Sequence, residues 1–222
     1  MNTRLLLLAD SRLPAGGHAH SGGLEPAVNA RTLATVPDLA DFLFGRLHTT
    51  GLVTAALAAA ACRHATDLAS PPSAARWDEL DAEADARTPS PAQRQASRAQ
   101  GKALLRAARA TWPSAVLDEL TARHHPIVLG VAAFAAGGTP EEAASIAAYG
   151  SVTGPASAAV RLLGLDPLLV HRALGDLAPQ VDAVAVEACD FKDWADIPAA
   201  SAPILDIFAE LHLQSDLRLF ES

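Results

Sequence analysis

Between Asp10 and Glu25 the chain reads DSRLPAGGHAHSGGLE, a stretch that gathers residue types able to do chemistry. Four glycines, His18, His20, Ser11, Ser21, Pro14 and two acids fall within sixteen residues. Three chemistries suit such a mixture: a phosphate-cradling loop, a metal site, or a bend that carries a surface for another protein. A phosphate loop needs a lysine directly after its glycines, and the nearest here is Lys102. The dinucleotide fingerprint needs a preceding strand and single glycines at fixed spacing, whereas Gly16–Gly17 and Gly22–Gly23 are paired.

For a metal, His18 and His20 share a side only in extended chain, with Asp10 or Glu25 adding oxygen. No third nitrogen or sulfur ligand lies nearby at useful spacing, and His124 and His125 diverge on a helix. Nucleophile sets fare no better. Ser21, His20 and Asp10 lack a G-x-S-x-G context, and Cys62 stands in an alanine-rich helix as a buried thiol. The pairs Asp78/Glu79 and Glu141/Glu142 read as solvated turns or caps. The expectation is no catalytic residue, no resident metal and no cofactor.

Two other stretches stand out. In RQASRAQGKALLRAA, Arg94, Arg98, Gly101 and Leu105 share one side of a helix, followed by Lys102. A glycine inside a helix costs about 1 kcal/mol relative to alanine, so something approaches the backbone closely there. That something is an alanine-rich helix of the same chain or a partner, and the arginines can equally pair with the acidic segment upstream. In the final twenty residues, Ile204, Ile207, Phe208 and Leu211 form a helical stripe suited to a groove on a second protein or on this one. Arg218 stands between apolar anchors beyond it.

The elements that must position these residues are helical nearly throughout. Leu5–Leu8 opens a short helix ended by Pro14, and Ser21 caps one through Leu24 and Val28. Helices are predicted over 36–47 and 51–66, the second almost wholly apolar. Residues 67–91 are the most polar part, an acidic helix or a mobile excursion. Ser90, Pro91 and Gln93 then open the arginine helix, and Pro113 restarts a short one. Residues 124–138 form an apolar helix, and Thr139, Pro140 and Glu142 start the next, which GSVTGPAS interrupts before 158–165. A last long helix covers 167–188, with VDAVAVEA read as helix rather than strand. The expectation is an all-α, compact single-domain bundle of about ten helices with a partly extended C-terminal tail. Residues 1–189 form the body and 190–222 a docking tail.

Net charge is -8, with 17 basic against 25 acidic residues, so no basic field is present for nucleic acid. Two distant cysteines, Cys62 and Cys189, fit a reducing cytosolic setting. The run LLLLA at 5–9 is too short for a membrane span or a signal peptide.

DSRLPAGGHAHSGGLE resembles the opening motif of the urease accessory protein F family, a short helix running through a proline-glycine bend into a serine, glycine and Leu-Glu helix start. RQASRAQGKALLRAA resembles that family's arginine-serine and glycine-basic-small-Leu-Leu helix. APILDIFAELHLQSDLRLFES resembles its tail, ending Arg-Leu-Phe-x-Ser, and SAAVRLLGLD adds a weaker match. The likeness covers residues 4 to 222 in one order. The chain departs where the family has an aromatic at His18, Phe-Gly at Leu129–Gly130, and a glutamine near His171–Arg172. The resemblance implies a dimeric, non-catalytic cytoplasmic protein that assists nickel insertion into apo-urease. It implies an adaptor between accessory protein D (H in some systems) and the GTPase accessory protein G, influencing GTP hydrolysis.

Partner-facing residues are then expected in three groups. The bend supplies Pro14, Gly16, Gly17, His20, Ser21, Gly23, Leu24 and Glu25. The helix supplies Arg94, Arg98, Gly101 and Lys102, and the tail His212, Arg218, Leu219, Phe220 and Ser222. The tail is expected to be ordered by the D-type partner, with Phe220 as anchor. The other readings are a helical hydrolase with a metal on Asp10, His18 and His20, a helical repressor, for which no basic helix is visible, and a purely structural dimer.

Overall fold

An alanine-rich helix with no charged stripe has to be covered on every side, and the computed structural model places one at the centre. It describes residues 2–68, 76–216 and 218–221. Helix α4 (Leu52–Leu68) is buried from Leu52 to Cys62 apart from Thr54. It is flanked by α8 (His125–Ala135) and α9 (Pro140–Leu163). Alanine lets these axes approach closely, and Gly130 takes the approach to its limit. A Cβ there would lie 2.2 Å from the Ala58 carbonyl oxygen, so α8 lies directly on the α4 backbone.

Around this centre the described residues form eleven α-helices and no strand. Helix α1 (Thr3–Ala9) lies against α8 and α9, and α2 (Leu24–Asn29) against α9. Helix α3 (Val36–Arg46) starts at a Thr35/Asp38 capping box. Helices α6 (Pro91–Thr111) and α7 (Ala115–Glu119) pack on α8, and α5 (Trp77–Ala86) on α4. Helix α10 (Pro167–Glu187) packs on α9 and α3, and α11 (Pro203–Leu213) on α6 and α2. The architecture is all-α, with one hydrophobic core running from Leu5 to Phe220.

Several predicted starts are realised. Ser90 Oγ accepts from Gln93 N at 3.1 Å, and Thr139 and Glu142 exchange both bonds of a capping box. The acidic segment forms α5; residues 69–75 of the predicted excursion lie outside the described residues.

Two predicted breaks are not breaks. Helices α3 and α4 join through a π turn over Leu47–Gly51, giving one rod from Val36 to Leu68. That rod is long and apolar enough to cross a membrane by length and composition alone, but more than half of its apolar window is buried in this core. Helix α9 runs unbroken through GSVTGPAS although Pro155 lies inside it. Proline removes the donor for the carbonyl four residues earlier, that of Ser151. Arg46 Nε supplies a donor instead, at 3.0 Å. Cys62 and Cys189 are both free thiols, and burial raises the Cys62 thiol to about 12.

Candidate functional site

The glycine-rich bend is built by backbone conformations that favour glycine. Gly16, Gly22 and Gly23 have φ of 76°, 63° and 89°. Gly17–Ala19 makes a single 3-10 turn, with Pro14 and Gly17 exposed beside it. Ser21, fully buried, accepts from Glu25 N at 3.1 Å and so caps α2 as expected, although Gly23 takes the N-cap position. Leu24 enters the core and Glu25 is 96% buried, being only 4% exposed.

A buried carboxylate requires partners, and those of Glu25 come from the other end of the chain. Its Oε1 accepts from Leu219 N and its Oε2 from Phe220 N, both at 2.9 Å. His212, on the inner face of α11, donates from Nε2 to the Phe220 carbonyl at 3.1 Å and lies 3.6 Å from Glu25. Glu221 N donates to Ala19 O at 2.7 Å, returning the tail to the bend. The Arg161 guanidinium sits 4.5 Å over the Phe220 ring and donates to His18 O at 3.1 Å. His20 Nε2 lies 3.7 Å from Glu221 Oε2, while burial pulls its ring below the usual histidine range.

Bend and tail, separate in the sequence reading, therefore form one site. Phe220 is 6% exposed and is held by this chain's own residues, where the sequence reading had a partner ordering it. Leu219, at 79% exposure, and Arg218 face outward from the same ordered segment. Ser222 lies outside the described residues. On α11, Leu205 and His212 point inward, while Ile204, Ile207 and Leu211 of the predicted stripe are exposed and Phe208 is half-buried.

The arginine helix divides. Arg98 forks onto both carboxylate oxygens of Asp85 and onto Asp81, each bond at 2.9 Å. That ion pairing holds the Asp85 carboxyl down at about 2. Arg94 donates to Thr88 O and Pro89 O. A Cβ on Gly101 would lie 2.0 Å from Arg123 O, so the close approach inferred there comes from this chain's own 123–125 segment. Lys102 is the exposed residue of this group, while Arg94 and Arg98 are half-buried. Arg98 and Gly101, expected to face a partner, are thus both engaged within this chain, with the arginine pairing to the acidic helix as the simpler alternative had it.

Sequence reasoning missed His124. Its Nε2 donates to Asp85 Oδ1 at 3.0 Å and its Nδ1 receives the Ser97 hydroxyl at 3.0 Å. Ser97 Oγ in turn accepts from His125 N, and Asp81 accepts from His124 N. Asp81, Asp85 and His124 offer ligand atoms within 4.8 Å of one another. Arg98 pairs with both carboxylates, Arg123 lies 3.9 Å from Asp81, and both imidazole nitrogens are engaged, so the chemistry of the set is that of an ion-pair network. The alternative set also disperses: Asp10 pairs with Arg12 at 2.6 Å, and His20 turns to Glu221.

Comparison with known proteins adds a second line. A family model described as UreF matches residues 33–178, which takes in α3 to most of α10. The chain is 47% identical to the urease accessory protein UreF of Mycolicibacterium vanbaalenii, over 98% of this chain and 97% of that protein. It is 45% identical to the protein of that name from Mycobacterium marinum and 42% to that from Mycobacterium tuberculosis, with the same coverage of both chains. These relatives therefore align through the bend and the tail as well as the helical body.

Proposed function

The chain belongs to the UreF family of urease accessory proteins, and from that premise we propose that it is a non-catalytic adaptor for nickel insertion into apo-urease. It bridges accessory protein D (H in some systems) and the GTPase accessory protein G as a cytoplasmic homodimer, and it influences when GTP is hydrolysed. Nickel is cargo of the assembly.

The observation that carries this reading is the ordered C-terminal unit. Ile204, Ile207, Leu211, Leu213 and Leu219 are all 45% exposed or more, on a segment held in place by Glu25 and His212. Apolar side chains grouped on an ordered surface mark a protein interaction site better than a catalytic one. Residues 190–222 then serve as the docking tail of a body formed by 1–189. The bend contributes the exposed Pro14 and Gly17, and α6 contributes Lys102.

Co-purification of the full chain with accessory proteins D and G, with urease activity measured in cells lacking it, tests the proposal. Stable complexes with both and loss of urease activity without the chain are expected. A chain that dimerises but captures neither would instead be a structural dimer.

A further inference from the structure

Phe220 shows how tightly the tail is specified. Its N–H goes to Glu25 and its carbonyl to His212, so both of its backbone polar groups are satisfied by side chains from α2 and α11. The adjacent Leu219 N–H takes the other oxygen of the same carboxylate. Only a carboxylate accepts on both oxygens; a side-chain amide offers one acceptor and one donor, and the donor would face an N–H. These bonds join residues 194 and 195 positions apart, so they tie the bend to the tail directly.

We infer that Glu25 is the positioning residue of the tail. Its carboxylate latches residues 218–221 onto the bend and fixes how the exposed Arg218–Leu219 pair is presented. Glu25 is itself almost wholly buried, so it acts on a partner through the tail and not by touch. The latch needs no functional premise. Its consequence for partner capture rests on the adaptor reading above.

Hydrogen exchange on the full-length protein tests the latch. In Glu25→Gln, the Leu219 and Phe220 amides exchange roughly tenfold faster or more, as expected for losing a hydrogen bond to a charged, buried acceptor. Amides of α4 and α8 keep their rates, which a general loss of core stability would not allow. Leu219→Pro deletes one of the two bonds from the tail side, at an exposed side chain, and serves whether or not Glu25→Gln folds. Unchanged exchange at Phe220 in a folded Glu25→Gln or Leu219→Pro protein would overturn the latch. Both variants are also expected to capture accessory protein D at least roughly tenfold more weakly, the same loss read in binding. A loosened tail with undiminished capture would leave the latch standing and overturn its link to the partner.

Discussion

Arg46 Nε donates to the Ser151 carbonyl at 3.0 Å, filling the position that Pro155 leaves without a backbone donor inside α9. Burial lowers the guanidinium to about 10, so it remains charged at neutral pH. Arg46→Met is expected to cost about 1.5–3 kcal/mol, the range for a hydrogen bond made by a charged group. Pro155→Ala in the same background restores the helix's own N–H and recovers most of that loss. Urea unfolding of the two single variants and the double variant measures the coupling directly.

Arg98→Ala removes the fork from Asp81 and Asp85 and leaves the His124 bonds beside uncompensated acid. Arg98 and Asp85 are both more than a third exposed, so solvent screening keeps the expected cost to about 1–2 kcal/mol. The loss appears in thermal melts of the isolated protein. Partner affinity measured well below the melting temperature stays near that of the parent; a large drop there with normal stability would restore a direct partner contact for Arg98.

Acid is expected to weaken the fold through its histidines. Burial, and secondarily the charge on His20, pulls His125 from 6.5 down to about 4, and burial also lowers His20, His64 and His124. A lowered folded-state value means that the unfolded chain takes up protons first. The stability contribution is complete above pH 6.5 and is lost progressively as pH falls toward 4. His125 alone accounts for up to about 3 kcal/mol at 1.36 kcal/mol per unit. Denaturant midpoints between pH 7.5 and 4.5 give the slope, which His125→Gln flattens. Asp85, held at about 2 chiefly by Arg98, stays ionised throughout.

Two truncations separate docking from folding. Removing 214–222 takes away Phe220 and the bonds to Glu25 while leaving α11 in place. The product is expected to remain helical by circular dichroism, to lose about 2–3 kcal/mol of stability from the buried aromatic, and to fail in capture of accessory protein D. Removing 203–222 costs more, because Glu210 also accepts from Ser90 Oγ at 2.5 Å and from Ala92 N at 2.9 Å at the start of α6. Full capture by the shorter truncation would dismiss the tail as a docking element.

What the sequence made legible was local. Ser90 and the Thr139/Glu142 pair carry their helix starts in three or four residues, and Gly101 announced a close backbone approach without naming its source. What stayed hidden depended on distant residues. Pro155 looks like a break until Arg46, 105 positions away along the chain from Ser151, is seen to replace the missing donor. Gly51 looked like the start of a separate helix, whereas the chain winds through it from α3 in a π turn. Glu25 was expected to face a partner as part of the bend's motif; the groups that bond its carboxylate, the Leu219 and Phe220 amides, lie 194 and 195 positions away and leave no local trace.

The π turn at Leu47–Gly51 also sets a rotational phase. Each helical residue advances about 100° around the axis, so one extra residue wound into a single turn rotates everything after it by that amount. Leu39 and Leu43 of α3 and Leu47 of the turn are buried, and beyond them α4 packs on α8 and α9. Deleting one residue from this turn would straighten the hydrogen-bond ladder and yet swing Ala58, on which Gly130 rests, about a quarter-turn away from α8. The irregular turn thereby sets the phase at which the second half of the rod meets α8.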